Sequence, residues 1–229
     1  MEGVPTGLDI DLNIALLPDR PLAGRLVAAS GEFARRYRAI VRLGDPGSRL
    51  ALAPHLTLYQ ARLPLAALAG LAGELAAAAT GLAPLTLACT GLAYNPGEAS
   101  LEARTEMPDA LVALQDLVIS LANPRRGGRL LDRDPAGNRL ADLHAAPGAL
   151  GDSIRRTGYG EAGDPRQGGL FRPHDTLNWF EPGTMVDVAR EDTRVNLGGL
   201  SGGYPALGIF ALGPHGTCPQ LLARTAFGG

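Results

Sequence analysis

The stretch APHLTLYQAR, residues 53–62, places a histidine in a segment that otherwise reads as a buried strand. Side chains in a strand alternate between two faces, so His55, Thr57 and Tyr59 share one face and two leucines lie on the other. The leucine face is typical of a face packed on a core. The opposite face carries an imidazole, a hydroxyl and a phenol, which is typical of the floor of a cleft.

A second stretch, FRPHDTLNWF at residues 171–180, repeats this division far along the chain. Its even positions form a largely polar face, which carries Arg172, His174, Thr176 and Asn178. Its odd positions form a largely apolar face that includes Leu177 and Trp179. A slip of one residue would move the polar side chains into the core, so the pattern also predicts the register of the strand.

Two of the four histidines therefore lie in matching five-residue frames, PHLTL and PHDTL. A single His-x-Thr in a strand is more typical of a hydrogen-bonded structural histidine than of a catalyst. The agreement in frame and in face division favours two halves of one site, in which His55 and His174 act together. The other histidines, His144 and His215, have no such frame and are predicted to lie in loops.

The composition is typical of a packed soluble globule, with 45% hydrophobic and 19% charged residues in a chain of 229. The net charge of −2 argues against strong nonspecific binding to nucleic acid, which requires a basic surplus. All 21 basic residues are arginines. The absence of lysine excludes Schiff-base chemistry and a P-loop lysine.

Cysteine usage and the terminal sequence indicate a cytoplasmic protein. Cys89 and Cys218 have no CxxC spacing, so no zinc site is expected, and two free buried thiols are favoured over a disulfide. The N-terminus lacks the pattern of a secretory signal. The most apolar stretch, residues 63–85, contains Glu74 and a leucine stripe at helical spacing, which predicts an amphipathic helix rather than a membrane span.

Strand and helix patterns are interleaved with hairpin signals, and neither a Rossmann nor a Walker glycine motif occurs. An α+β fold with mainly antiparallel sheet is therefore favoured. The predicted elements are a strand at 8–17, a helix carrying Leu22, Leu26, Phe33, Tyr37 and Ile40 on one face, a strand at 50–62, a helix at about 65–79, a hairpin of 84–94 and 99–105 around NPGE, a helix beginning at Pro108, a strand at 170–181, and further ordered segments at 204–213 and 219–227.

The segment from about 123 to 169 has the weakest pattern in the chain. It is rich in glycine, proline and charged residues, with one short helix predicted near 147–156. A long weakly patterned segment inside a compact domain is typical of an insertion or a lid.

At HLTL (55–58) and HDTL (174–177) the sequence resembles the 2H phosphoesterase superfamily, which includes 2′-5′ RNA ligase-like proteins and cyclic nucleotide phosphodiesterases. The hallmark of that superfamily is two His-x-Thr/Ser motifs, one in each lobe. The resemblance implies a single bilobal α+β domain over residues 1–229. In it, two mainly antiparallel sheets with flanking helices would surround a central cleft with pseudo-two-fold symmetry.

The resemblance also implies a function, namely a metal-independent phosphodiesterase (a hydrolase) that opens 2′,3′-cyclic phosphates or cleaves 2′-5′ linkages. One histidine, His55 or His174, would deprotonate water and the other would protonate the departing sugar oxygen, in either order. The hydroxyls of Thr57 and Thr176 would donate hydrogen bonds to the non-bridging phosphate oxygens. No metal or other cofactor is implied, and the expected partner is a small nucleotide or an RNA end.

The sequence leaves two possible roles or environments open for each of three further residues. Arg172 either pairs with the substrate phosphate or forms a surface salt bridge at the start of its strand. Tyr59 either stacks on a base or packs as a structural aromatic. Asp175, where the motif prefers an apolar residue, needs a polar partner or an exposed edge.

Two other functions remain compatible with the sequence. The first is a two-histidine cleft that performs non-phosphate acid-base chemistry, such as isomerisation, cyclisation or dehydration. An apolar cleft lining would favour it. The second is a module that binds nucleotides without turnover.

Overall fold

The computed structural model describes residues 7–44, 52–95, 99–181 and 199–228. Its helices are α1 (Arg20–Arg36), α2 (Leu68–Ala79), α3 (Asp109–Arg126), α4 (Leu140–Ala145) and α5 (Ala149–Thr157). Its strands are β1 (Asp9–Leu17), β2 (Ala39–Arg42), β3 (Leu56–Pro64), β4 (Leu85–Leu87), β5 (Cys89–Asn95), β6 (Ser100–Thr105), β7 (His174–Phe180), β8 (Gly202–Tyr204), β9 (Ala206–Ala211) and β10 (Gln220–Ala226).

The strands form one large and one small sheet, and every pairing is antiparallel. The large sheet has the order β10-β9-β1-β3-β7-β6-β5, with β2 also paired to β7, and β4 pairs with β8 in the small sheet. Between β3 and β7 the ladder has a single residue pair, Leu56 with Asp175. The large sheet therefore consists of two halves that meet at the two His-x-Thr strands, and the predicted α+β antiparallel class is confirmed.

Helices cover the face of the sheet opposite the histidines and bury the leucines of both strands. Leu56, Leu58 and Leu177 have no exposed surface and belong to one large hydrophobic core. Helix α3 packs across β3, and α1 packs against β7. Asp19 caps the N-terminus of α1, where its carboxylate accepts a hydrogen bond from the backbone N–H of Leu22 at 2.8 Å.

Strand β3 contains a β-bulge one residue after its threonine. In its ladder with β1, Thr57 pairs with Ala15 and Tyr59 pairs with Ile14, so Leu58 is the extra residue. A bulge inserts one residue without a partner and shifts the alternation of faces beyond it. From this point on, the side chains of β3 lie on faces opposite to those predicted by simple alternation.

Strand β7 contains the matching bulge. In its ladder with β6, Thr176 pairs with Glu102 and Asn178 pairs with Leu101, so Leu177 is the extra residue. Both motif strands therefore bend at the leucine that follows the threonine. This common irregularity gives the two halves of the sheet the same local geometry around each motif.

The helix predicted through Ile40 is wrong in its last turn. Helix α1 ends at Arg36, Tyr37 is extended with φ −129° and ψ 162°, and Ile40 is 50% exposed in β2. A β-branched pair, Ile40 and Val41, favours the strand, and β2 finds its partner in β7. Tertiary pairing therefore overrides the helical spacing.

The other predicted elements occur with shifted bounds. The strand predicted at 50–62 begins at Leu56, and positions 50 and 51 lie outside the described residues. The hairpin is present as β5 and β6, with residues 96–98 of its turn also outside them. Segment 123–169 contains the end of α3, all of α4, and α5, which matches the short helix predicted there.

Both cysteines are free, Cys218 buried and Cys89 half-buried. Within the described residues, none of the helices is long and apolar enough to cross a bilayer. No group of three or more metal-binding side chains occurs within those ranges either.

Candidate active site

The junction between the two sheet halves brings the His-x-Thr motifs together. Because β3 and β7 are antiparallel and pair at Leu56 and Asp175, the next positions place His55 opposite Thr176 and Thr57 opposite His174. The two histidines are then diagonal neighbours on one face, which corresponds to a distance of somewhat less than about 7–8 Å between their Cβ atoms. A tetrahedral phosphate fits between two imidazoles at this spacing.

Each imidazole is fixed by the same backbone contact. Nδ1 of His55 lies 2.8 Å from the carbonyl oxygen of Ala53, and Nδ1 of His174 lies 2.6 Å from that of Arg172. A carbonyl oxygen only accepts hydrogen bonds, so Nδ1 carries the hydrogen in both rings. Nε2 of each ring is therefore the nitrogen available for proton transfer in the cleft.

At His55 the neighbour of Nε2 is a hydrogen-bond donor. The Asn13 amide nitrogen on β1 lies 3.3 Å from Nε2 and donates to Thr57 Oγ1 at 3.0 Å. Desolvation by burial lowers the pKa of His55 from its ordinary value, and the nearby His174 lowers it further. A backbone contact with Gly216 acts in the opposite direction, but the net shift favours the neutral ring, in which Nε2 carries the lone pair because Nδ1 carries the hydrogen.

At His174 the neighbour of Nε2 is a hydrogen-bond acceptor. The carboxylate of Glu102 on β6 is 1% exposed, and its Oε1 lies 3.7 Å from Nε2 of His174. The second carboxylate oxygen lies 2.8 Å from the Arg104 guanidinium. At this distance the contact is electrostatic rather than a hydrogen bond, and it places a buried carboxylate beside the ring. The two histidines therefore share the same backbone contact at Nδ1 but differ in their side-chain neighbours, an amide at His55 and a carboxylate at His174.

Both motifs line a cavity of about 560 Å³. His55, Thr57, His174 and Thr176 form part of its floor, so the structure brings together all four residues of the predicted pair of motifs. This volume lies within the range of small-molecule sites, roughly 300–1,000 Å³.

The paired bulges decide which further side chains reach the cavity. Gln60 and Trp179, each five positions after a motif histidine, line it, whereas Tyr59 and Asn178 do not. Asn178 is fully buried and donates to the carbonyl oxygens of Ser30 and Val41. Strict alternation had predicted the reverse, with Trp179 on the apolar face and Asn178 beside His174.

The prediction that Tyr59 shares the face of His55 is wrong. Tyr59 has no exposed surface, and its hydroxyl donates to the carbonyl oxygen of Thr157, at the end of α5, at 2.5 Å. Burial raises the pKa of Tyr59 to about 12. Because the bulge at Leu58 turns the ring into the core, Tyr59 is a structural anchor for segment 123–169.

A loop between β9 and β10 adds residues that sequence reasoning missed. The ring of His215 lies against that of Trp179, with centroids 4.6 Å apart and planes tilted by 38°. His215 has φ 58°, a left-handed conformation that is uncommon outside glycine. The neighbouring Gly216 offers its carbonyl oxygen to the Asn13 amide at 3.4 Å. His215 is a loop residue as predicted, yet only the tertiary fold brings it to the cavity, whereas the same prediction is wrong for His144, which lies on α4.

The two charged residues with open alternatives both have internal partners. Arg172 lines the cavity and donates from Nη2 to Glu161, which lines the same cavity. Asp175 is 1% exposed and accepts a hydrogen bond from the hydroxyl of Tyr204 on β8 at 2.5 Å. Burial raises the pKa of Asp175 to about 6. Of the two explanations offered for Asp175, the polar partner is the one observed.

Neither family models nor curated proteins gave a match to this chain. Solved structures did match along nearly the whole length. E. coli LigT in its apo form is 14% identical with a TM-score of 0.54, covering 97% of this chain and 100% of LigT. TT0787 of Thermus thermophilus is 18% identical with a TM-score of 0.58, covering 96% of this chain and 99% of that one.

The chain has the LigT-like fold. A third match, a structure described as a phosphoesterase, is 15% identical with a TM-score of 0.52 over 97% of this chain and all of the other. The match to LigT agrees with the α+β fold with antiparallel sheets that the resemblance to the 2H phosphoesterases implies. LigT itself has been solved with phosphate, 3′-AMP and ATP.

Proposed function

We propose that this protein is a metal-independent phosphodiesterase that opens 2′,3′-cyclic phosphates, or cleaves 2′-5′ linkages, in small nucleotides or RNA ends. One observation carries the proposal. Two His-x-Thr motifs face one cavity from two adjacent strands, with the same Nδ1 contact and the same bulge. A LigT-like fold, complexes of LigT with phosphate and 3′-AMP, and a match described as a phosphoesterase support it.

His55 is the proposed general base. Its Nε2 has a lone pair, because the neighbouring Asn13 amide donates towards it and the pKa of the ring is lowered. In ring opening, Nε2 takes a proton from water as the water oxygen bonds to phosphorus. Neutral imidazole is the form this step requires.

His174 is the proposed general acid. Its Nε2 lies 3.7 Å from the buried Glu102 carboxylate, which is an opposite charge for the ring when the ring carries the proton. As the bond between phosphorus and the departing sugar oxygen breaks, this proton passes to that oxygen. Proton exchange with solvent then restores both histidines, and the net reaction consumes one water.

Thr57 and Thr176 are the proposed donors to the non-bridging oxygens. Each hydroxyl lies two positions after its histidine and next to the histidine of the other strand, so both point at the space between the rings. Hydrogen bonds there strengthen as negative charge builds on the phosphate. Arg172 is a candidate for a third phosphate contact, in competition with its ion pair to Glu161.

A second candidate function is supported by the cavity wall, which is rich in leucine. In this alternative the same two histidines perform acid-base chemistry on a substrate without phosphate. The acid and base roles remain, but the two threonine hydroxyls have no oxyanion to bind. The experiment below separates the two functions.

The test is turnover of the four 2′,3′-cyclic nucleotides in the presence of a chelator, with products separated by chromatography. We expect ring opening by the wild-type protein and a loss of about 10²–10⁴-fold in kcat for His55→Ala and His174→Ala. His144→Ala is the matched control, because His144 lies on α4 and does not line the cavity. Folded protein that opens none of the four rings and also leaves a 2′-5′-linked dinucleotide intact would overturn the proposal and favour the second function.

A further inference from the structure

The cavity has two chemically different sides. The sheet supplies the polar floor with its histidines and threonines, whereas segment 123–169 and the residue just after it supply an aliphatic wall. The wall consists of Leu131, Leu140, Leu143, Leu150, Ile154 and Leu170. Any substrate that fills the cavity while its reacting group lies between the histidines must therefore contact hydrocarbon.

The aliphatic wall is separate from the main core of the protein. Leu131, Leu140 and Ile154 form a small hydrophobic cluster of their own, 1–5% exposed, against which Leu143 packs half-buried. Leu150 is 42% exposed at the cavity margin. The wall thus has a buried base that holds it in place and an accessible aliphatic surface directed at the reaction site.

The charged side chains that line the cavity disfavour the binding of a substrate with several negative charges. Asp134 and Glu161 line it, and Arg172 is the sole arginine among its described lining residues. Arg172 donates to Glu161, and Asp134 accepts two hydrogen bonds from Asn138, at 2.8 and 2.9 Å. Tracking of an RNA backbone needs one cationic contact per phosphate. This cavity is suited to one phosphate group.

We infer that the aliphatic wall binds an apolar substituent next to the reacting phosphate, so that the preferred substrates are five-membered cyclic phosphates of apolar 1,2-diols. The inference rests on the proposed function and narrows its substrate class. The aliphatic wall adjoins the floor that carries the two His-x-Thr motifs. Hydrocarbon bound to the wall therefore lies beside the cyclic phosphate that opens. The cyclic diester carries a single negative charge, in agreement with the charges of the cavity.

A series of cyclic phosphates that undergo the same ring opening and vary in their hydrocarbon tests this inference. The cyclic phosphates of ethane-, butane- and hexane-1,2-diol differ only in hydrocarbon, and 2′,3′-cyclic AMP and an RNA trinucleotide ending in a 2′,3′-cyclic phosphate are the comparisons. Burial of one methylene contributes about fourfold in binding. We expect kcat/KM to rise about fourfold per added methylene until the wall is covered, and to exceed the value for the trinucleotide.

Two variants, at leucines with similar exposed fractions, test whether the gain from added hydrocarbon arises at the aliphatic wall. Leu150→Ser removes accessible hydrocarbon from the wall, whereas Leu65→Ser changes a leucine of similar exposure, 43%, that does not line the cavity. We expect the first to flatten the rise from ethane- to hexanediol phosphate. The second should preserve the whole series.

The outcomes distinguish this inference from the function on which it rests. If no cyclic phosphate is opened, this inference fails, and the proposed function fails with it unless a 2′-5′ linkage is cleaved. Ring opening without any gain from added hydrocarbon, or a trinucleotide preferred over hexanediol phosphate, leaves the phosphodiesterase standing and overturns the apolar substrate class. An equal response of Leu150→Ser and Leu65→Ser would also overturn it.

Discussion

At the scale of single residues, the site gains its asymmetry from two side chains outside the motifs. Asn13 donates towards His55, and the Glu102 carboxylate lies 3.7 Å from Nε2 of His174, although the backbone contacts of the two histidines are the same. Neither residue has a signature in the sequence, because each is defined by pairing in a neighbouring strand. The motif predicts two histidines, and only the strand neighbours suggest which one takes the proton.

A pH profile tests the role of His55. Since the base must be neutral and its pKa is lowered, we expect the acidic limb of kcat/KM to fall below pH 6.5, the ordinary value for imidazole. Asn13→Asp replaces the donor with a carboxylate, which favours imidazolium and raises the pKa of His55. The acidic limb should then move to higher pH.

Asn13→Ser is the matched control for that shift, because it keeps a neutral hydrogen-bonding group beside the ring. Its kcat/KM is expected to fall without the upward movement seen for Asn13→Asp. An acidic limb that stays in place in Asn13→Asp would contradict the assignment of His55 as the base.

At the scale of elements, the paired bulges determine which half of each strand serves the site. They move Gln60 and Trp179 to the cavity and Tyr59 and Asn178 to the core. Alternation correctly predicts the faces up to each threonine, at positions 55–57 and 174–176. Beyond those positions it fails, because a bulge depends on how the partner strand pairs and leaves no mark in a local pattern of apolar residues.

Substitutions of Tyr59 and Trp179 test whether the bulges place the first side chain in the core and the second in the cavity. Tyr59→Phe removes a buried hydroxyl that donates to the Thr157 carbonyl, which we expect to lower the free energy of unfolding by about 1–3 kcal/mol. The melting temperature should fall by several degrees with kcat/KM unchanged. Trp179→Leu, on the cavity side, should instead lower kcat/KM. Equal effects of both on kcat/KM would contradict the placement of Tyr59 in the core.

The same argument covers the rest of the fold. Strands and amphipathic helices follow from local periodicity, and most of them lie where the sequence predicts them. The exceptions are segments whose secondary structure depends on a partner that is distant in the sequence. The segment predicted as the last turn of α1, for example, forms β2 because it pairs with β7. The aliphatic wall of segment 123–169 belongs to this class, because its leucines are spread among loops and two short helices and meet only in three dimensions.

At the scale of the whole molecule, the halves of the large sheet meet at one residue pair, and a buried carboxylate lies at that point. Asp175 pairs with Leu56 across the junction and accepts from the Tyr204 hydroxyl, which belongs to the small sheet. His174 and Cys89 are the other titratable groups that act on Asp175 or respond to its charge. The junction between the halves therefore contains a group that titrates below neutral pH.

The sign of its effect on stability follows from the pKa. Burial raises the pKa of Asp175 from 3.8 to about 6, so the folded protein binds this proton more tightly than the unfolded chain does. The stabilisation from the protonated carboxyl is complete below about pH 4 and is lost as the pH rises through about 6. Ionised Asp175 thus weakens the junction at neutral pH, by about 2–3 kcal/mol relative to the acid form.

Asp175→Asn removes this titration while keeping a group that can accept from Tyr204. We expect the free energy of unfolding of the variant to exceed that of wild type at pH 7.5 and to match it more closely at pH 4.5, measured by denaturant titration across that range. Comparison of the two proteins cancels the titration of His55, whose lowered pKa acts in the opposite direction. A difference that is the same at both pH values would contradict a raised pKa for Asp175, because proton binding by this group would then not distinguish the folded from the unfolded state over that range.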